Sequence, residues 1–292
     1  MFDAMLPFWL SIGLLSLAQG VVVLLPGRLE LGAIRTLRRR GWALVPPLSV
    51  IAFVLVARAA EQASAQSLTY LALVAVPLLA AAALLELGRF ARPAAALLVP
   101  VLFVLAWADR SGLAGEAAAL ALSALSCVAL GVLLAAVTPP LWLGLGIVAM
   151  ALADTAFVVS DLLQRPNDAL NAAHPAAGLP RLQSAVLGSA IMGYGDLFIA
   201  AALGGLIAAT VGSRAQTRAA ALTALLAVLF DLLFFAVSEL PATVPVAAAL
   251  AVLVLRGRPA VAAILRSAAP LAPDPAAAAP PRPSEARSPA AR

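Results

Sequence analysis

The chain has 292 residues, of which 63% are hydrophobic and 11% charged, and its mean hydropathy is +1.03. Soluble domains are roughly 45–50% apolar, so this composition excludes an ordinary soluble enzyme and points to an integral membrane protein. A pI near 10.9 raises nucleic acid as a partner, but all 19 basic residues are arginines scattered between apolar runs, so the charge reads as topological and no nucleic-acid partner is expected.

A helix crosses a bilayer with about 20 mainly apolar residues. Taken in chain order, apolar runs fall at 5–26, 42–57, 67–85, 93–108, 117–137, 141–163, 184–212, 217–238 and 240–255. They predict an all-α, polytopic membrane protein of about nine transmembrane helices. The first run lacks a basic leader and a small-residue cleavage site, so it is expected to be a retained helix. The single cysteine, Cys127, has no partner for an internal disulfide, and no Cys/His group has metal-ligand spacing. No metal and no cofactor are expected.

Arginine placement orients these runs, because cytoplasmic loops are enriched in basic residues. With the N-terminus outside, Arg28, Arg35, Arg38, Arg39, Arg40, Arg89, Arg92, Arg214, Arg218 and the arginines from Arg256 onward fall inside, fifteen of the 19. Arg58, Arg110, Arg165 and Arg181 fall outside. A bacterial cytoplasmic membrane protein with its N-terminus outside and C-terminus cytoplasmic is therefore expected. The transmembrane domain covers 1–256, and 257–292 form a Pro/Ala/Arg-rich cytoplasmic tail, expected to be disordered from about 267. The connection at 164–182 reads as an outside loop, with substrate approach and plain connection both open.

Four aspartates interrupt the late runs: Asp154, Asp161, Asp196 and Asp231. An ionised Asp at the bilayer centre costs at least about 2.5–3.5 kcal/mol on insertion scales, so such residues usually face a bundle interior and have a function. In helices spanning 141–163 and 184–212, Asp154 and Asp196 each lie within about 3 Å of the centre. Two antiparallel neighbours would then bring both carboxyls to one level, where they share a proton and activate a water. Asp161 lies near the outer end of its run and reaches water. Asp231 is deep, and reads first as an Asp bonded to a neighbouring helix. Gly193 and Gly195, flanking Tyr194, are expected to let another backbone approach and to loosen the helix beside Asp196.

The segment "GYGD" at 193–196, Asp154 in the preceding run and "LPATVP" at 240–245 together resemble the GxGD intramembrane aspartyl proteases of the presenilin and signal peptide peptidase type. The resemblance implies nine helices, with a catalytic dyad of Asp154 and Asp196 in the sixth and seventh. Gly193, Tyr194 and Gly195 become the surrounding motif, and Pro241, Ala242 and Thr243 the substrate-binding or supporting motif before the ninth helix, at about 240–255. Substrates would be transmembrane proteins or peptides, cleaved within or near the bilayer; oligomeric state is left open. Ala153 stands where the family usually has Tyr, and Thr243 where its third motif ends in Leu.

Two other readings remain. The type IV prepilin peptidases share a GxGDxK motif, but Phe198 occupies the lysine position. A proton- or ion-coupled transporter would use the buried aspartates as ion sites, although no internal repeat is visible.

Overall fold

The computed structural model describes residues 7–29, 37–59, 61–162, 164–173 and 175–256. The expected tail from 257 on, and Arg35, lie outside the described residues. The chain is mostly helical, in the order α1 Phe8–Leu24, α2 Val45–Ala59, α3 Glu61–Ala82, α4 Leu98–Ala108, α5 Leu113–Val137, α6 Pro140–Val159, α7 Gln164–Ala172, β1 Ser184–Leu187, β2 Ala190–Gly193, α8 Tyr194–Thr210, α9 Ser213–Asp231 and α10 Val244–Arg256. Every apolar run contains one helical segment. Those at Ala65–Leu87, Leu113–Val137, Pro140–Val159 and Ser213–Phe235 are long and apolar enough to cross a membrane. Among the described residues the other apolar segments, Phe8–Leu24, Arg40–Val56, Pro93–Ala108, Tyr194–Thr210 and Val244–Arg256, are shorter.

The boundaries follow local chemistry. Thr138, Pro139 and Pro140 close α5 and open α6, because a proline has no N–H to continue a helix yet fits the first turn of the next. Between α8 and α9 only Val211 and Gly212 intervene, and Gly212 takes φ 106°. That left-handed backbone suits glycine, so the chain reverses there in two residues.

One sequence expectation is corrected. The run 184–212 is not a single helix: its first part is an antiparallel hairpin pairing Ser184 with Gly193 and Leu187 with Ala190. Gly188, at φ 59°, opens its two-residue turn, as glycine does in the turns whose twist matches a hairpin. The 164–182 connection is also structured, containing α7. The carbonyls at the end of α7 accept from side chains that follow it: Arg181 donates to Asn171 at 3.0 Å, and Gln183 to Leu170 and Ala173 at 3.3 and 3.2 Å. A helix end needs such partners when water is scarce.

The core is centred on α8, where Leu197 and Ile199 through Ala208 are buried. Small residues allow its neighbours to come close. A Cβ on Gly131 of α5 would lie 2.5 Å from the backbone of Ala201, and one on Gly204 would lie 2.2 Å from the carbonyl oxygen of Val23. Without a hydrophobic drive between helices in lipid, this backbone-level packing is what holds them. Outward faces carry apolar side chains instead: Leu71, Val74 and Leu78 of α3 are 61, 63 and 66% exposed. Such an apolar exterior suits lipid, not water.

Hydrogen bonds between element ends sort them onto two faces. On one, Arg28 Nη2 donates to Ala209, Arg39 N to Val137 and Arg89 N to Leu25. On the other, Ser189 N donates to Ser11 Oγ, Gly188 N to Glu116 Oε2 and Arg110 Nη1 to Gly178. The first face holds the arginine-rich turns, and the second holds the hairpin.

Candidate active site

Two helix ends converge beside the hairpin. The C-terminal half of α6 carries Asp154, and the first turn of α8 carries Asp196. Met150, one turn before Asp154 on the same face, brings its Cε to 3.7 Å from where a Cβ of Gly195 would stand. Asp154, on the same face of α6 as Met150, therefore lies on the side of that helix turned toward the start of α8. Because the hairpin replaces the first part of the expected helix, Asp196 is in a first turn instead of at a helix centre. Asp154 lies in the C-terminal half of α6 and not at its centre.

Each carboxyl is held by different chemistry. Asp154, only 9% exposed, accepts the Thr243 hydroxyl on Oδ2 at 2.7 Å. Thr243 immediately precedes α10, where a hydroxyl ordinarily caps its own helix; here it reaches across to α6 instead. Asp196 is half-buried and accepts the Gly193 N–H on Oδ2 at 3.0 Å. That bond closes the start of α8, whose unpaired N–H groups favour a carboxylate.

The remaining motif residues have separable positions. A Cβ on Gly193 would sit 3.0 Å from Asp196 Oδ2, so this glycine makes room for the carboxylate itself; one on Gly195 would make only an ordinary contact with Met150. The expectation that both glycines admit another backbone is therefore corrected: backbones approach at Gly131 and Gly204. Tyr194 bonds its hydroxyl to Ser126 Oγ at 2.7 Å, and its carbonyl accepts from Cys127 Sγ at 3.7 Å. It fastens the entry of α8 to α5. Pro241 is buried and Ala242 half-buried in the irregular approach to α10.

The other two aspartates lie elsewhere. Asp161 is exposed with φ 60°. Its N–H bonds to Val158 and that of Leu162 to Phe157, at 3.1 and 3.0 Å, the paired bonds that end a helix through a left-handed residue. Asp231, half-buried at the last position of α9, accepts from Ser16 Oγ of α1 at 2.7 Å. It is bonded to a neighbouring helix, as read, but at a helix end and not deep within one.

Sequence reasoning missed Gln19. This α1 residue is fully buried, and its Nε2 donates to the carbonyl of Ala242 at 2.8 Å and to that of Asp196 at 3.5 Å. The signal was a lone amide in "LLSLAQGVVVLL", overlooked because attention went to charges. Among the described residues no group of three or more His, Cys, Asp or Glu side chains is arranged to hold a metal.

No family model, no curated protein and no solved structure matches the chain. Fold and site together define a mostly helical membrane protein in which three separate segments, α6, the entry of α8 and the entry of α10, are joined through the hydrogen bonds of Thr243 and Gln19.

Proposed function

We propose that the chain is an intramembrane aspartyl protease of the GxGD type, crossing the bilayer nine times with its N-terminus outside and its C-terminus in the cytoplasm. The observation that carries this reading is the hydrogen-bonded linkage of three distant motifs: Thr243 holds Asp154, and Gln19 ties Ala242 to the carbonyl of Asp196. The four long spans and five shorter apolar segments supply nine crossings. The shorter ones reach across where the bilayer thins or flanking side chains snorkel.

Two neighbouring carboxyls hold one proton between them more easily than none. A water lying between them gives a proton to the ionised carboxyl as its oxygen attacks the scissile carbonyl carbon. The protonated carboxyl donates to the carbonyl oxygen, forming a neutral tetrahedral diol. Return of a proton to the amide nitrogen breaks the C–N bond, leaving a new carboxyl and a new amine. A substrate helix has to unwind before its carbonyl is open to attack. The hairpin supports that step: β2 is paired on one side only and runs directly into Asp196, so its free edge suits an extended segment.

The test is cleavage of a transmembrane peptide by the reconstituted chain, analysed by mass spectrometry. Cleavage by the wild type and none by Asp196→Asn is the expected result. Orientation is tested separately by single cysteines in a Cys127→Ala background. Those at 37–40 should be labelled only from the cytoplasmic side and those at 175–181 only from outside; the reverse pattern discards the orientation.

A further inference from the structure

Gln19 stands on the first helix, far in sequence from every motif residue, yet touches two of the motifs. One N–H of its amide reaches the carbonyl of Ala242, and the group also lies within 3.5 Å of the carbonyl of Asp196. Ala242 is joined to Thr243, whose hydroxyl holds Asp154. The connection thus runs from Asp154 through Thr243 and Ala242 to Gln19, and from Gln19 to Asp196. It links the two carboxyls through protein atoms alone.

The amide is badly designed for stability. Its Oε1 is buried with no hydrogen-bond partner, and an unpaired buried acceptor costs about as much as a neutral hydrogen bond contributes. Methionine fills a similar volume and removes that orphan, but it leaves the Ala242 carbonyl without the donor it has in Gln19. What methionine cannot do is donate two hydrogen bonds from one planar group, whose fixed geometry sets the spacing of the two carbonyls it meets.

We propose that Gln19 is a positioning residue for the carboxyl pair, holding the entry of α10 against the entry of α8 so that Thr243 presents Asp154 to Asp196. The proposal rests on the proteolytic reading of this site. Gln19 touches neither the water nor the substrate in this role; it fixes the gap in which the water is held. Small displacements of reacting groups strongly reduce turnover while leaving substrate binding nearly intact. The signature is therefore a change in kcat without a change in KM.

The full chain is reconstituted in liposomes, and kcat and KM for a transmembrane peptide are measured beside the melting temperature in detergent. Gln19→Met should lower kcat about tenfold or more, with KM within about twofold of wild type and a melting temperature close to that of wild type, since one unpaired acceptor is exchanged for another. Gln19→Asn, one methylene shorter and unable to span both carbonyls, should show the same direction of change. Ser16→Ala, on the same helix but bonded to Asp231, should leave kcat within about twofold. Wild-type kcat in Gln19→Met, a loss confined to KM, or a loss matched by a lowered melting temperature overturns the proposal. If Gln19→Met does not fold, Gln19→Asn decides by the same criteria. A wild-type chain that cleaves nothing, or cleavage that survives Asp154→Asn and Asp196→Asn, overturns the proteolytic reading and this proposal together. Active wild type, inactive Asp variants and unaffected Gln19 variants overturn this proposal alone.

Discussion

Asp154 and Asp231 pose the same problem and receive the same first answer. Each is a carboxyl in an apolar bundle, and each accepts a hydroxyl from a distant segment at 2.7 Å, Thr243 before α10 in one case and Ser16 of α1 in the other. They differ in what lies next to them. The hydrogen bonds at Asp154 lead through Thr243, Ala242 and Gln19 to the backbone of a second aspartate, Asp196, whereas Asp231 is tied to Ser16 of α1. One hydroxyl is a sufficient structural explanation for a carboxyl at a helix end. A second carboxyl beside the first adds repulsion and desolvation, which no packing argument requires. The pair is therefore where chemistry belongs, and Asp231 is where stability does.

The largest effect expected from this contrast is at the pair. Asp154→Asn and Asp196→Asn preserve shape but cannot exchange a proton, so each should reduce peptide cleavage by about a thousandfold or more while the chain still inserts. Abolition of cleavage by Asp231→Asn instead would reverse the assignment. Next comes Thr243→Val, which keeps the volume and removes the hydroxyl. A hydrogen bond to a charged group is worth about 1.5–3 kcal/mol, so kcat should fall about 10- to 100-fold; a melting shift with normal turnover would make Thr243 a mere helix tie.

Asp231→Asn should leave cleavage within about twofold and change stability by about 1 kcal/mol, the scale of interhelical polar contacts in membranes. Thermal unfolding in detergent reads this directly. The smallest effect belongs to Asp161. Since that residue ends α6 in a left-handed conformation, Asp161→Gly should be neutral or stabilising by up to about 1 kcal/mol, with activity unchanged. A large activity loss there would place Asp161, and not Asp154, at the centre of the site.

The helical segments were legible because each needs only a sustained apolar run, a property that does not depend on what the run packs against. The hairpin was not. "SAVLGSAIMG" is mainly apolar, and although β2 alternates buried and exposed residues, its exposed Ile191 is as apolar as its buried neighbours, so no period-two pattern shows in the sequence. Its one clue was Gly188 with Ser189 midway between two four-residue apolar pieces, a two-residue turn signal. Missing it placed Asp196 in the middle of a helix. Asp154, in the C-terminal half of α6, is likewise off the centre of its helix.

Thr243 was legible as a motif position and as a departure from the family's Leu, but not as a partner of Asp154. Its hydroxyl matters only in relation to Asp154, 89 residues away. Gln19 carries no charge, so insertion cost did not single it out, and its two carbonyl partners are backbone groups that no sequence pattern displays. The left-handed turn at Asp161 is likewise a backbone property that an Asp permits without announcing.

The central claim is that Asp154 and Asp196 act as one unit, and non-additivity measures it most directly. Cleavage of a transmembrane peptide is compared for Asp154→Asn, Asp196→Asn and the double variant. The account predicts that the double variant is no slower than either single one, because residues of one catalytic unit lose their effect together. Independent losses that multiply in the double variant, or full cleavage by Asp196→Asn, would contradict it.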